Sequence, residues 1–260
     1  MTYPRHALTG AIPAPASNQW TVRHRSVPRR EPRPARSFAV QWIDRSGRHD
    51  DFVRLAPAMP LFEAAFSALG RGTLIPTAQG PVAIEDLLPG ALVETTSGMA
   101  PLVWVGMMTI VPDSPAQGIS PLRLYRVTTD AFGLNRPMPD LLLGPGARLL
   151  NRSPAVRSQH GCAAILEPIA PKADGMSVIE ITPVSAVQVY HIGFLSHRTF
   201  VANGVEVESM HPGPVNSNRI DPGLMKTWLS MFPHIRHSGD FGPLCHPRIA
   251  DDSRDSVHAA

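Results

Sequence analysis

The histidines are the residues of this sequence that most readily suggest a metal site, because imidazole is a common metal ligand. Three of the eleven, His191, His197 and His211, lie six and then fourteen positions apart on predicted strands and loops. Helical zinc sites use a different spacing, with a pair at positions i and i+4. The spacing therefore predicts no metal site.

Other familiar catalytic motifs give no better match. Glu85 and Asp86 are adjacent, and neighbouring side chains of a strand point to opposite faces, so we expect them to begin a turn or short helix rather than form an acid pair. There is no Gly-x-Ser-x-Gly elbow, and GRGTLIP lacks the spacing of a dinucleotide-binding or phosphate-binding loop. The sequence predicts no cofactor.

Positive charge is concentrated at the N-terminus. Residues 1–36 contain seven arginines and one acid, so this segment carries +6 while the remainder carries −3. Six prolines in the same segment limit the apolar surface that it can bury, which predicts a disordered, solvated arm. The functional alternative is an arm that contacts an anionic polymer or a membrane surface.

The cysteines and the apolar runs bear on the cellular compartment. Cys162 and Cys245 form no Cys-x-x-Cys pattern, so neither a disulfide scaffold nor a zinc ribbon is predicted, although a single bridge stays open. Prolines interrupt the apolar residues near the N-terminus, and no run approaches the roughly twenty residues of a membrane span. We expect no transmembrane segment and a cytoplasmic protein, with unconventional secretion left open.

Short apolar runs separated by turns predict a mainly β fold. Two alternating segments flank the turn RSG, and Asn203-Gly204 lies between two more, where a type I′ hairpin turn favours residues that tolerate positive φ. Helical spacing is confined to two short segments. The predicted parts are an N-terminal hairpin, a main domain with a short helix at 61–69, and an appendage with a helix at 224–232: 37–60, 61–213 and 214–260.

Four blocks of the main domain occur in an order that resembles the Hint domain of hedgehog and intein autoprocessing proteins, in the version common in bacteria. They are GTLIPTAQGPVAIEDLLPGALVET, PLVWVG, LLLGPGARLL, and YHIGF followed by VANGVEVESMHPG. The resemblance runs from about Phe62 to Gly213, more than half of the chain. It implies an all-β Hint fold and a function in autoproteolytic processing or protein splicing.

The residues that the resemblance assigns to catalysis are missing. The family's nucleophile, a Cys or Ser four residues before the Gly-Thr pair, attacks the preceding carbonyl, and here that position is Ala68. The family's middle-block His protonates the leaving amide nitrogen, and the matching position is Ala147. A methyl group can do neither, which predicts a catalytically degenerate domain.

Four residues stay as candidates for residual chemistry. Ser67 adjoins the vacant position, and an offset of one residue would let its hydroxyl attack the Phe66 carbonyl, although a serine here could also only decorate a short helix. Intein-like members cyclise a terminal Asn with help from a His, which implies Asn203 with His191 and His197. The structural alternatives are a hairpin turn for Asn203 and surface or half-buried rings for the two histidines.

These features lead to three functional predictions. The first is a non-catalytic Hint module that binds or scaffolds an unidentified protein partner. The second is an active domain that cleaves between Phe66 and Ser67 by an N-to-O acyl shift. The third places the function in the arginine-rich arm.

Overall fold

The structure is a computed structural model, and it describes residues 34–112, 122–213 and 220–249. Most of the predicted arm, residues 1–33, lies outside these residues, as do 214–219 and 250–260 of the predicted appendage. The mainly β architecture predicted from the sequence is confirmed. Within the described part no helix is long and apolar enough to cross a membrane.

Strands dominate the described part of the chain. The strands in chain order are β1 Ala35–Ile43, β2 His49–Pro57, β3 Leu69–Gly70, β4 Leu74–Thr77, β5 Gly80–Ala83, β6 Leu92–Thr95, β7 Gly98–Pro101, β8 Trp104–Ile110, β9 Leu124–Val127, β10 Leu141–Leu143, β11 Arg148–Asn151, β12 Ile165–Pro168, β13 Val178–Ile181, β14 Val187–Gly193, β15 Thr199–Ala202 and β16 Val205–Glu208. The α-helices are α1 Pro60–Phe66, α2 Pro154–His160 and α3 Pro222–Leu229. A short 3₁₀ helix at Ile84–Asp86 confirms that Glu85 and Asp86 lie in a turn of helix.

The strands form two sheets whose named strand pairs are all antiparallel. The first sheet has the order β13-β9-β10-β3-β14-β8-β1-β2. The second has the order β12-β11-β16-β15-β6-β4-β5, with β7 paired to β6. Because β3 pairs with both β10 and β14, the segment that opens the main domain lies in the middle of the first sheet.

The N-terminal hairpin is part of the first sheet. Strand β1 pairs with β8 from Phe38 opposite Met108 to Trp42 opposite Trp104. The strand begins at Ala35, two residues earlier than predicted, because Arg36 is buried and its Nε donates to Glu63 Oε1 at 2.5 Å. Arg36 therefore belongs to the folded part and not to a solvated arm.

The C-terminal helix packs on this sheet through aromatic residues. Asp221 caps its N-terminus by accepting from two backbone N–H groups, and Pro222 suits the first turn, so α3 begins two residues before the predicted start. Trp228 of α3 contacts Phe232, whose ring lies 5.0 Å from that of Trp104. The Trp104 Nε1 atom donates to the Met231 carbonyl at 2.8 Å. The described appendage is thus fixed to the core.

Candidate functional site

The peptide that joins α1 to β3 is held by backbone hydrogen bonds on both sides. Ser67 and Ala68 are completely buried. The Ala68 N–H donates to the Tyr190 carbonyl at 2.9 Å, and the Ala68 carbonyl accepts from Gly144 N–H at 2.9 Å. The Ser67 carbonyl accepts from Gly146 N–H at 2.8 Å. The carbonyl that precedes the expected nucleophile position therefore has one fixed donor, as an acyl-shift site would require.

Two glycines make this close approach sterically feasible. A Cβ atom at Gly144 would lie 2.2 Å from the Ser67 carbonyl oxygen. A Cβ atom at Gly146 would lie 2.3 Å from the Ala64 carbonyl oxygen. Since both contacts are with backbone atoms, a side chain at either position would force the opening peptide away from the β10–β11 turn.

We expect Gly146→Ala to lower the free energy of unfolding by about 2 kcal/mol or more, because the added methyl group overlaps fixed backbone. The control is Gly239→Ala, where nothing lies within 4 Å of the new Cβ and φ is not positive. That variant should stay within about 1 kcal/mol of the wild type. Urea unfolding of both variants measures the difference, and equal stability would contradict the steric argument.

Within the described residues, no hydrogen-bonding group is positioned to activate Ser67. Its Oγ atom is buried and makes no hydrogen bond within the described residues. A Cβ atom at Gly146 would lie 3.1 Å from this Oγ atom. A serine hydroxyl needs an adjacent base to become a useful nucleophile. Ser67 therefore has the surroundings of a small buried core residue.

The two alanines at the expected catalytic positions are core residues. Ala68 is completely buried and Ala147 is 1% exposed, and both belong to the same hydrophobic cluster. Their methyl groups fill space where the family's chemistry uses a thiol or hydroxyl and an imidazole. Neither position leaves a polar group in contact with the Ser67–Ala68 peptide.

His191 lies on β14 and is buried rather than at the surface. Its Nε2 atom is 3.3 Å from the Glu208 carbonyl oxygen, and its Nδ1 atom makes no well-formed hydrogen bond within the described residues. Burial lowers the pKa of His191 to about 4, against weaker opposing effects of the Glu208 and Ala65 backbones. The ring is therefore neutral near pH 7.

Glu208, at the end of β16, is the centre of a buried charge cluster. Its Oε1 atom lies 2.8 Å from Arg248 Nε and 3.0 Å from His197 Nε2, and its Oε2 atom lies 3.8 Å from Arg148 Nε. Burial alone would raise the pKa of Glu208, but contact with His197 and Arg248 outweighs burial and holds the pKa below its usual range. The Glu208 carboxylate is therefore ionised, and the neighbouring arginines balance its charge.

His197 is also buried, and its ring is oriented by the C-terminal segment. Its Nδ1 atom accepts from the Cys245 N–H at 2.9 Å, which places the hydrogen of a neutral ring on Nε2, beside Glu208. The Nε2 contact has ion-pair length without hydrogen-bond alignment. His197 thus serves the charge cluster.

A cavity of about 340 Å³ lies between α1, the β10–β11 turn and the end of β16. Its lining includes Gly146, His191 and Glu208, and also residues of α3 and Arg248. The segment around Arg248 is held in place because the Leu166 N–H donates to the Pro247 carbonyl at 2.8 Å and the Ile249 N–H donates to the Leu166 carbonyl at 3.0 Å. The C-terminal segment therefore forms one wall of the cavity.

Asn203 is fully used by the fold. Its φ of 46° and the φ of 81° at Gly204 fit the predicted hairpin turn. Its Oδ1 atom accepts from the Leu74 N–H at 2.7 Å, and its Nδ2 atom donates at 3.0 Å to the carbonyls of Pro139 and Asp140. None of these bonds involves Ser67. Of the predicted site residues, His191 and His197 both lie next to Glu208, whereas Asn203 lies in a different part of the fold.

Sequence reasoning missed the charged residues of the cluster. Glu206 and Glu208 alternate identically in VEVE, but Glu208 is 3% exposed and Glu206 is half-buried. What distinguishes Glu208 from Glu206 is its contact with Arg248, a residue forty positions further along the chain. Both cysteines are free thiols, and within the described residues no group of three potential ligands could hold a metal ion.

The mainly β fold, in which the buried Ser67–Ala68 peptide leads into a central strand of the first sheet, is that of an autoprocessing-type domain. The chain belongs to the Hint domain family, whose model matches residues 67–214, more than half of the chain. A solved structure, the crystal structure of the gp41-1 intein, is similar at 14% identity and a TM-score of 0.34, covering 55% of this chain and 98% of the intein chain. A search of curated proteins finds no match.

Proposed function

We propose that this Hint-domain protein does not cleave its own chain and acts as a scaffold or binding module for a protein partner. The observation that carries the proposal is the pair of buried alanines, Ala68 and Ala147, which share one apolar cluster at the two positions where the chemistry needs polar groups. The held carbonyl of Ser67 has a donor but no attacking group. A carbonyl donor alone provides no acyl transfer.

The alternative function is cleavage between Phe66 and Ser67, and one observation motivates it. The Ser67 Oγ atom is a buried nucleophile without a hydrogen-bond partner in the described residues, and such groups invite an explanation. Against it, no His of the described residues hydrogen-bonds to Ser67 Oγ, and Phe66 is completely buried against Phe38 and Trp104. The Nε2 atom of His191 lies 3.3 Å from the Glu208 carbonyl oxygen.

We expect the purified full chain to yield no fragment that ends at Phe66 or Ser67 after incubation with hydroxylamine or a thiol, and Ser67→Ala to behave identically. Cleavage by hydroxylamine at the susceptible Asn203–Gly204 bond is distinguished by fragment mass. Both reagents trap an ester or thioester, so they reveal an acyl shift that is otherwise reversible. The mass must be measured in denaturant. Strand β1 pairs with β8, and the two pieces of a cleaved chain would stay together when folded.

The matched control for this experiment is Ala68→Cys. It places a thiol directly after the Ser67 carbonyl, which already accepts from Gly146 N–H. We expect hydroxylamine to cleave this variant at Ser67–Ala68 while the wild type stays intact at this bond, because a thiol is a far better nucleophile than any group now present. Cleavage of the wild type that Ser67→Ala abolishes would establish the alternative function instead.

A second candidate function concerns the arginine-rich segment, and the charge imbalance of +6 over residues 1–36 favours it. This function would be docking on an anionic polymer or membrane surface, and it would weaken with salt. A deletion that tests it should end at residue 33, because Arg36 pairs with Glu63 inside the fold. A cytoplasmic location stays a prediction.

A further inference from the structure

Strand β2 forms an open edge of the first sheet. It pairs with β1 along its whole length, from His49 to Pro57, and no strand of the described part lies on its other side. Val53 and Leu55 are 69% and 72% exposed. A long edge strand with exposed apolar side chains is a template for another strand unless something covers it.

The hydrogen bonds at the ends of the hairpin show which backbone groups face outward. The Asp44 N–H donates to the Arg48 carbonyl at 3.0 Å, and the Ala58 N–H donates to the Pro34 carbonyl at 2.8 Å. Antiparallel pairs alternate between bonded and non-bonded, so even-numbered positions of β2 bond to β1 and odd-numbered positions turn their N–H and C=O outward. The outward N–H groups are those of His49, Asp51, Val53 and Leu55, of which that of Asp51 donates to the neighbouring Asp50 Oδ1 at 2.9 Å.

We propose that β2 pairs antiparallel with β2 of a second copy of this chain, about a two-fold axis at Phe52. In this register Asp50 of each copy lies opposite Arg54 of the other, because both are two residues from the centre. These are non-bonded pairs, in which opposing side chains come closest. The outward backbone groups of Asp51 meet those of Val53, and those of His49 meet those of Leu55.

Charge selects this register over its neighbours. A two-fold arrangement centred on Arg54 places that arginine opposite itself, and one centred on Asp51 places that aspartate opposite itself. A centre at Val53 joins Arg54 to Phe52 and leaves Asp50 opposite Ala56. Of the registers centred on residues 51 to 54, only the one centred on Phe52 joins opposite charges, and it does so twice. Such an interface uses the same surface on both copies and closes as a dimer.

The test is the mass of the full chain by equilibrium sedimentation as a function of concentration. We expect the wild type to approach twice 28.2 kDa. Arg54→Asp and Asp50→Arg should each weaken dimerisation by about tenfold or more, because each replaces two attractive pairs by two repulsive ones. The double variant restores opposite charges across the interface and should recover the wild-type affinity.

Two further variants separate this interface from other effects. Arg54 also contacts Ser230 Oγ in its own chain, so Ser230→Ala is the control for loss of that contact and should remain dimeric. Val53→Pro removes an outward N–H without touching the β1–β2 bonds and should be monomeric, whereas Val53→Thr should not. Circular dichroism confirms that each variant is folded.

A wild type that stays monomeric at its highest soluble concentration would overturn the proposal. A dimer that persists in Val53→Pro would do the same, because it would have to use another surface. A double charge variant no better than the single ones would show that Asp50 and Arg54 do not face each other.

Discussion

Replacing Glu208 with alanine is expected to lower the free energy of unfolding by about 3–5 kcal/mol, the cost typical of removing one partner of a buried ion pair. Glu208 is 3% exposed and neutralises Arg248, with Arg148 and His197 also close. Without the carboxylate, the Arg248 guanidinium, whose side chain is 15% exposed, keeps its charge and loses its counterpart. That uncompensated charge, more than the lost contacts, is the source of the effect.

The control for Glu208→Ala is Glu206→Ala on the same strand. Glu206 also contacts two arginines, Arg136 at 3.6 Å and Arg152 at 3.1 Å, but the side chains of both arginines are about half exposed. Such pairs contribute at most about 1 kcal/mol, since water screens them. Urea unfolding at pH 7 compares the two variants, and equal losses of stability would mean that the Glu208 cluster is solvated rather than buried.

Acidification from pH 7 to pH 5 is expected to cost about 2 kcal/mol of stability through His191 alone. Its pKa is about 4 in the folded chain, because burial penalises the charged ring, against an ordinary value of 6.5. The unfolded chain therefore takes up the proton first. The stabilisation is complete above about pH 6.5 and is lost progressively as the pH falls towards 4. Protonation of Glu208 adds to the loss from about pH 4.5 downwards, because contacts with His197 and Arg248 lower its pKa in the folded chain from the ordinary value.

His191→Leu tests this assignment through the pH dependence rather than the absolute stability. The variant should lose about 2 kcal/mol less than the wild type between pH 7 and pH 5, whatever its stability at pH 7. Burial also lowers the pKa of His211 and of His234 to about 4, so part of the pH dependence will remain. His160→Leu, at an exposed helix end, is the control. If the His191 variant has the same pH dependence as that control, His191 is not the titrating group.

Local patterns in the sequence were enough to predict the β class and several of its elements. Asn203-Gly204 predicted a turn, and both residues have positive φ. Alternation predicted the hairpin of β1 and β2, and helical spacing predicted α3. These features depend on residues close together in the chain, so the sequence carries them directly.

The candidate site depends on contacts between distant residues, which no local pattern encodes. Glu63 is buried because Arg36 reaches it, and Glu208 is buried because Arg248 returns to the end of β16. Before the fold is known, an acidic residue in a strand is expected at the surface. The positions of Ala68 and Ala147 could be assigned because the family supplies a register, whereas nothing in the sequence identifies Glu208 as the centre of a charge cluster.

The pairing of β1 with β8 means that the folding unit is larger than the family unit. The family model matches residues 67–214, but this range leaves out β1, β2, α1 and α3. A fragment cut at those limits would leave the edge of β8 that faces β1 unpaired. It would also remove Phe66 and Phe232, whose rings pack against Trp104. In a domain that excises itself, the flanking chain must be separable from the fold. Here both flanks have become part of its core.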